Sequence, residues 1–437
     1  MASQTIPRPG GNDRWFGIRS QIHLKLLNSL SPDQLKAMTR EGTREQIGDI
    51  VEDLIADDRL PITIPERKRL VEEVLDEVFG LGPLEPLLKD PSISDILVNG
   101  FDNVYIERGG KLLETNVRFK DQSHLRMIID RIVSNTGRRI DDSSPIVDSR
   151  LDDGSRVCAV IPPLSLTGPV MAIRRFSNKL LAPSDLMKND ALTSGMLDFL
   201  AGCVEARLNI VIAGGTGAGK TTLLNTLSRF IPEEERTVTI EDTAELHLQQ
   251  PHVVRLETRP INIEGAGAVS QRDLVINALR MRPDRIILGE CRGPEAFDMM
   301  QAMNTGHDGS MTTLHANSTR DAFSRLETLV MMASQSVPDN VVRQMLASAI
   351  QLVIHCARLP DGSRRLTAIS EVLGVEDENI TLQEIFVLKR TGVGSRGQIL
   401  GKFAATGARP HFLDRLKTFG IHLPNSIFSE EQELKER

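Results

Sequence analysis

The chain has 437 residues, enough for about three domains that each bury a core, which excludes a disulfide-stapled miniprotein. Hydrophobic residues make up 40% and charged residues 25%, a composition typical of folded globular proteins and not of disordered chains or rods. The formal net charge of -7 has the wrong sign for a protein that coats nucleic acid, so we expect no direct nucleic-acid partner.

The cysteines and the apolar runs indicate where the protein works. The four cysteines lie tens of residues apart and form no CxxC pair, so we expect no zinc site. They are predicted to be small buried side chains in a reducing compartment. No apolar run approaches the roughly 18 residues of a membrane span, and the N-terminus lacks the apolar centre of a signal peptide. We therefore expect a cytoplasmic protein.

The first part of the chain is predicted to be helical. Residues 1–21 contain prolines and glycines that break regular structure, and we expect a flexible leader there. Over residues 22–90 the apolar residues recur at helical spacing, interrupted near Pro32 and Pro61, which predicts a small helical bundle.

Two α/β domains are predicted to follow. Residues 91–177 hold the strand-like runs ISDILVNG, NVYIERGGKLLE and RVCAVIPPL and one helix-like stretch, HLRMIIDRIVSNTG, which predict a smaller mixed α/β domain. Residues 178–190 are predicted to be a linker, and residues 191–437 a longer α/β domain. Near its end, LVIHCARL and LTAISEVLGV flank Pro360, Asp361 and Gly362, which predicts a structural β-hairpin.

The longer domain begins with the strongest motif in the chain. In LNIVIAGGTGAGKTTLLNTLSRF, an apolar run leads into GxxxxGK[ST] and then into helical spacing, as a phosphate-binding loop requires. Its glycines let backbone amides turn toward a polyphosphate at a helix N-terminus. The alternative, a chance glycine turn, explains neither flank. The candidate nucleotide-binding residues are Gly214, Gly215, Thr216, Gly217, Ala218, Gly219, Lys220, Thr221 and Thr222.

Within this loop, Lys220 is expected to reach the β and γ phosphates, and the Thr221 hydroxyl is expected to ligate Mg²⁺. Hydrolysis also needs carboxylates. TVTIEDTAEL places Glu241 and Asp242 after a β-rich run, and RIILGECRG places Glu290 after another. The structural alternatives are a turn cap at the first site and a salt bridge from Glu290 to Arg292.

Gly289 stands where an Asp often precedes the acidic residue of such a strand. We therefore assign the metal role to Glu241, together with Thr221, and the water-activating role to Glu290. His315 follows a short β-branched run in GSMTTLHANS. The residues alone leave open whether it is catalytic or a structural hydrogen bonder.

These motifs resemble those of the secretion ATPase superfamily, whose members serve type II and type IV secretion and type IV pilus assembly. GGTGAGKTT, TIEDTAEL, ALRMRPDRIILGECRGPEA and GHDGSMTTLHANS resemble its Walker A, Asp box, Walker B and His box, in that order. Upstream, GLGPLEPLLKD, ISDILVNG, RRIDDSSPIVDSRL and DGSRVCAVIPPL are similar to the CpaF-like branch, which serves Tad or Flp pili. The resemblance covers residues 79 to 354.

The resemblance implies a RecA-like P-loop ATPase domain preceded by a smaller α/β domain, in a homohexamer that binds ATP and Mg²⁺. It also implies that arginines of the smaller domain reach the phosphates. The matching positions are Arg156 and Arg174, with Arg150 and Arg175 as further candidates. By the same resemblance, His315 senses the γ-phosphate.

The implied function is an ATPase motor that assembles a Tad or Flp pilus. It would contact an inner-membrane platform protein, remain peripheral to the inner membrane, and act on pilin indirectly. Whether it extends or retracts the pilus stays open. The alternatives are a type IV or type II secretion ATPase that exports protein or DNA, and a nucleotide-gated scaffold with little turnover.

Overall fold

The computed structural model describes residues 48–49, 52–53, 63–175, 181–261, 266–334, 337–395 and 397–434. The chain divides into two compact units, Met1–Ser177 and Asn178–Arg437. The expected leader lies outside the described residues, and so does the expected helical bundle as far as residue 62, apart from two helical pairs, 48–49 and 52–53.

The first unit is an antiparallel sheet with helices. Helix α1 (Ile64–Phe79) begins at Thr63, whose backbone N–H and hydroxyl both donate to the Glu66 carboxylate, a capping box. A short 3₁₀ turn (Gly82–Leu84) and helix α2 (Glu85–Lys89) follow. The remaining elements are β1 (Ile93–Val98), β2 (Val104–Arg108), β3 (Lys111–Glu114), α3 (Gln122–Asn135), β4 (Ile146–Arg150), β5 (Arg156–Val160) and β6 (Val170–Arg174).

The six strands lie in the order β3-β2-β1-β6-β5-β4. One face is apolar because alternate residues of a strand point to the same side of the sheet, as Val157 and Ala159 of β5 do. Helix α3 contributes buried residues at helical spacing to this core. The strand and helix predictions for this region are confirmed.

The second unit contains a ten-stranded sheet with helices. Its helices are α4 (Pro183–Lys188), α5 (Ser194–Glu205), α6 (Lys220–Ser228), α7 (Gln271–Ala278), α8 (Glu295–Asn304), α9 (Thr319–Ala333), α10 (Asp339–Ala349) and α11 (Leu413–Thr418). Its strands are β7 (Ile210–Gly214), β8 (Thr237–Glu241), β9 (Val253–Glu257), β10 (Arg285–Cys291), β11 (Met311–Leu314), β12 (Leu352–Arg358), β13 (Arg364–Glu376), β14 (Asn379–Val393), β15 (Ile399–Ala405) and β16 (Glu431–Glu433). A 3₁₀ turn (Asn425–Ser429) precedes β16.

The strand order is β16-β15-β14-β13-β12-β7-β11-β10-β8-β9. The six strands from β12 to β9 in this order are parallel, and β12 to β16 pair antiparallel. Alternate residues of β7 enter different cores: Ile210 and Ile212 face one, and Val211 and Ala213 face the other. Both faces of the parallel part are therefore covered, as its almost wholly apolar strands require.

The register brings the ends of several parallel strands to one edge. Ala213, near the end of β7, pairs with Leu314 of β11 and with His355 of β12. Leu288 of β10 pairs with Ile240 of β8. In open α/β sheets, ligands bind at the carboxyl ends of the strands. This edge therefore positions the candidate site, and the predicted fold class, a P-loop α/β unit after a smaller α/β unit and an N-terminal helical segment, is confirmed.

Two details differ from, or add to, the sequence-based picture. Cys158 is exposed, whereas the other three cysteines are buried as predicted. The exposure follows from alternation, because Cys158 lies between the buried residues Val157 and Ala159 on β5. The described part of the segment expected as a linker carries α4, whose Leu186 is buried in the core of the second unit.

No helix of the described residues is long and apolar enough to cross a bilayer.

Candidate nucleotide site

The phosphate loop joins the buried strand β7 to helix α6. Gly217 and Gly219 have φ values of +68° and +98°, which residues with a side chain rarely adopt. A Cβ on Gly214 would lie 2.4 Å from the carbonyl oxygen of Cys356 on the neighbouring strand. The glycines at these positions are therefore required by local geometry, and the loop ends at the amino terminus of a nine-residue helix.

The side chain of Lys220 is buried inside this loop. Its ammonium donates to the carbonyl oxygens of Gly214 and Gly215, both at 3.1 Å. The same nitrogen lies 3.4 Å from Nε2 of His315, at the end of β11. A phosphate could replace these two carbonyl contacts with a stronger, charged contact.

Glu290 contacts both His315 and Arg292 in a polar cluster beside Lys220. One Glu290 oxygen lies 2.7 Å from His315 Nε2, and the other accepts from Arg292 at 2.7 Å and 2.5 Å. The salt bridge considered as the structural alternative for Glu290 is therefore present. Burial lowers the pKa of His315, and Lys220 lowers it further against the opposing effect of Glu290. The uncharged imidazole can donate from one nitrogen and accept at the other.

Glu241 is buried at the end of β8 and makes two kinds of contact. Its Oε1 accepts from the backbone N–H groups of Glu245 and Leu246, both at 2.9 Å. The turn cap considered as its structural alternative is thus also present. Its Oε2 is buried, and no hydrogen-bond partner for it occurs among the described residues. Burial raises the pKa of Glu241 to about 7, although the two backbone bonds lower it.

The glycine before Glu290 makes room for Glu241. A Cβ on Gly289 would lie 3.1 Å from Cγ of Glu241. Since ordinary carbon contacts are about 3.5–4.0 Å, any side chain at this position would press on the Glu241 carboxylate. The absence of an Asp at position 289 and the presence of a buried acid at position 241 therefore have a common geometric cause.

The oxygen atoms of Glu241 and Thr221 are suitable ligands for Mg²⁺. The described residues contain no group of three or more His, Cys, Asp or Glu side chains that could hold a metal ion. Mg²⁺ in nucleotide sites instead takes one or two protein oxygens, with phosphates and waters as the other ligands. The buried, unpartnered Oε2 of Glu241 fits this requirement, with the hydroxyl of Thr221 in the first turn of α6 as a second hard oxygen.

Comparison with known proteins shows which family this chain belongs to. A family model described as "Type II/IV secretion system protein" matches residues 77–387. The chain is a member of the type II/IV secretion system protein family. One relative is a putative conjugal transfer protein of Mycobacterium tuberculosis (strain ATCC 25618 / H37Rv), 39% identical over 300 residues, 67% of this chain and 85% of the relative. Another is the type IV secretion system protein VirB11 of Bartonella quintana (strain Toulouse), 33% identical over 68% of this chain and 93% of the relative.

Among solved structures, the secretion-family protein is similar to the Legionella pneumophila ATPase DotB. The TM-score is 0.49 and the identity 22%, over 69% of this chain and 82% of that chain.

In this secretion-family protein, the strand register decides which of the candidate arginines lie side by side. Arg156 on β5 pairs directly with Arg174 on β6 and with Arg150 on β4. These three arginines therefore share one row and one face of the sheet, with Asp95 next in the row. Arg175 faces the other way and donates to the carbonyl oxygens of Asp90 and Ile93, a structural contact.

Two further arginines near the phosphate loop were missed by the sequence analysis. Arg358 ends β12, and Arg364 begins β13, on either side of the turn predicted to be structural. Arg364 Nε donates to the carbonyl oxygen of Gly217 at 2.8 Å. The available signal was weak, because only the parallel pairing of β12 with β7 brings this turn to the loop.

Proposed function

We propose that this chain is an ATP-driven motor that binds ATP and Mg²⁺ at the phosphate loop and hydrolyses the γ-phosphate bond. One observation carries the proposal: His315 contacts both Lys220 and Glu290, although the three residues lie near the carboxyl ends of three different parallel strands. Fold stability does not require a lysine, a histidine and a carboxylate to converge beside an anion-binding loop. Phosphoryl transfer does require positive charge and a group that orients water.

In this proposal each residue has a defined task. The loop amides and the Lys220 ammonium bind the phosphates, and Glu290 orients and deprotonates the attacking water. His315 senses the γ-phosphate through its contacts with Glu290 and Lys220. When bound, Mg²⁺ would offset the charge of the β and γ phosphates, with Thr221 and Glu241 as its protein ligands.

Arginines of the first unit would add positive charge to the phosphates. The row of Arg150, Arg156 and Arg174 supports this role, because its register gathers three guanidinium groups on one sheet face, where they could bind an anion together. We assign the role to Arg156 and Arg174 first, with Arg150 as the third candidate.

The first candidate for the work of this motor is transport by a type IV secretion or conjugation machine. The names of the relatives support it, since one is a conjugal transfer protein and another a type IV secretion system protein. We propose a homohexamer in the cytoplasm that acts on an inner-membrane partner. The second candidate is assembly of a Tad or Flp pilus through a platform protein, supported by the CpaF-like motifs upstream of the phosphate loop.

ATP turnover by the purified full-length protein tests the site. Glu290→Gln is expected to lower kcat by at least about 100-fold while nucleotide still binds, because only the water-activating carboxylate is lost. Lys220→Ala is expected to weaken both binding and turnover. Glu384→Gln, an exposed change on β14, is the matched control and should leave turnover unchanged. Wild-type rates in both site variants would refute the assignment. Wild-type protein that binds ATP without turnover would instead support the nucleotide-gated scaffold.

Deletion of the gene in its native host separates the two kinds of work. Loss of conjugal transfer or of secreted protein would support the first candidate, and loss of surface pili would support the second. A copy carrying Glu290→Gln should fail to restore whichever activity is lost, since the motor would bind nucleotide but not complete its cycle.

A further inference from the structure

The turn between β12 and β13 lies against the outside of the phosphate loop. Because Cys356 pairs with Gly214 in parallel register, the last residues of β12 continue past the sheet edge beside the loop. Arg358 and Arg364 then face each other as directly paired residues of the antiparallel hairpin. Both side chains are exposed, on the part of the hairpin that lies beside the loop.

Arg364 contacts the peptide at the crown of the loop. Its Nε donates to the carbonyl oxygen of Gly217 at 2.8 Å, and its Cδ would be 3.5 Å from a Cβ on Gly219. Arg358 is close as well, with Nη1 3.6 Å from the position of a Cβ on Gly217. The Gly217 carbonyl thus points away from the loop interior and toward the hairpin.

The orientation of this carbonyl decides the orientation of an amide. In a trans peptide the C=O of one residue and the N–H of the next point in opposite directions. With the Gly217 carbonyl bonded to Arg364 on the outside, the N–H of Ala218 points inward, where it donates to the carbonyl of Gly215 at 3.3 Å. The same Gly215 carbonyl accepts from the Lys220 ammonium. The Ala218 N–H therefore points toward the place where this loop would bind phosphate.

The hairpin that carries Arg364 is braced at its turn. Asp361 Oδ1 accepts from the backbone N–H and the hydroxyl of Ser363, at 2.9 Å and 2.6 Å. Asp361 Oδ2 accepts from the backbone N–H of Ile399 at the start of β15, at 2.9 Å. The turn is thus tied to a second strand, which limits how far Arg364 can move from the loop.

We propose that Arg364 is a positioning residue that holds the Gly217–Ala218 peptide with its N–H group toward the phosphates of the nucleotide. Asp361 supports it by holding the turn. The inference rests on the proposed nucleotide binding. Arg364 should strengthen binding of the phosphates equally in the ground state and in the transition state, because the Ala218 amide contacts them in both.

Steady-state kinetics and nucleotide titration of the full-length protein test the inference. Arg364→Ala should raise KM for ATP, and Kd for ADP, by about tenfold with kcat within about twofold of wild type, the loss expected for one charge-assisted hydrogen bond. Arg364→Lys should recover part of the affinity, because it keeps a donor and the charge. Asp361→Asn should raise KM by a smaller factor. Arg390→Ala, an exposed arginine on β14, is the matched control and should behave as wild type.

The possible results separate this inference from the proposed function. Wild-type protein that does not bind ATP would refute the function. Wild-type binding with an unchanged KM in Arg364→Ala would refute only the positioning role. A fall in kcat at constant KM in that variant would also refute it, since it would indicate a contact made in the transition state alone. If Arg364→Ala is too unstable to assay, an unchanged KM in both Arg364→Lys and Asp361→Asn would overturn the inference.

Discussion

Both edges of the parallel sheet in the second unit carry buried charged residues, but the hydrogen-bond partners of these residues differ between the edges. At the amino edge, Arg285 at the start of β10 is 0% exposed and pairs with Glu235 through two nitrogens. Its third nitrogen donates to the carbonyl of Val204 at 2.7 Å. Asn209 beside it donates to two carbonyls, of Met303 and Ala349, and accepts from the N–H of Ser310. These buried groups have several partners each.

The carboxyl edge is different, because the carboxylate of Glu241 is only partly hydrogen-bonded there. Glu241 Oε2 is buried with no hydrogen-bond partner among the described residues. The Lys220 ammonium binds backbone carbonyls, and His315 is 45% exposed beside it. Buried polar groups in stable proteins are normally satisfied. An unpartnered carboxylate oxygen beside an anion-binding loop indicates a binding site, where a ligand completes the contacts.

The amino edge should therefore carry stability and little function, and breaking its central ion pair gives the largest expected effect on folding. Arg285→Met is expected to lower the free energy of unfolding by about 3–5 kcal/mol, because it leaves the Glu235 carboxylate in a buried place without its main partner. Chemical denaturation measures this. In protein that remains folded, Kd for ATP should be unchanged.

Arg207→Met is the matched control for this change, since Arg207 binds the same carboxylate at 3.0 Å but is partly exposed. It should cost less than about 1 kcal/mol. Equal stabilities for Arg285→Met and wild type would contradict the view that the amino edge is structural.

At the carboxyl edge, the buried Glu241 carboxyl should instead cost stability at high pH. Its pKa is raised to about 7 by burial, from an ordinary value of 4.5. Because the pKa is higher in the folded protein, the stability that the protonated Glu241 carboxyl contributes is fully present below the unfolded pKa. This stability is lost as the pH rises through about 7. In buffer without nucleotide and Mg²⁺, the free energy of unfolding of Glu241→Gln should therefore rise relative to that of wild type between pH 5 and pH 8. The increase should reach about 2 kcal/mol at pH 8.

The amide of Glu241→Gln can still accept from Glu245 and Leu246, so the loop after β8 should keep its cap. Thermal denaturation over this pH range measures the difference, with Glu384→Gln as the control. A difference between Glu241→Gln and wild type that does not change with pH would show that the carboxyl is not the group that ionises. The same variant should also lose Mg²⁺-dependent turnover.

Local sequence patterns were sufficient for part of this site. The loop around Lys220 follows from spacing alone, and Glu290 follows from the apolar run before it, because each element is short and contiguous. The role of Arg364 could not be inferred in this way, since it depends on pairing between β12 and β7, about 140 residues apart. The row of Arg150, Arg156 and Arg174 likewise depends on antiparallel register, and it was reached only through resemblance to a family.

The smallest expected effect tests how closely the carboxyl edge is fitted. In Gly289→Ala the new methyl would lie 3.1 Å from Cγ of Glu241, so the carboxylate must shift by a few tenths of an ångström. Because productive geometry tolerates about 0.5 Å, we expect the Mg²⁺ concentration for half-maximal turnover to rise by about three- to tenfold. Gly392→Ala on β14, where a Cβ would meet no atom within 4 Å, is the matched control. If both variants require the same Mg²⁺ as wild type, the position of Glu241 is not critical, and the carboxyl edge is less closely fitted than its contacts indicate.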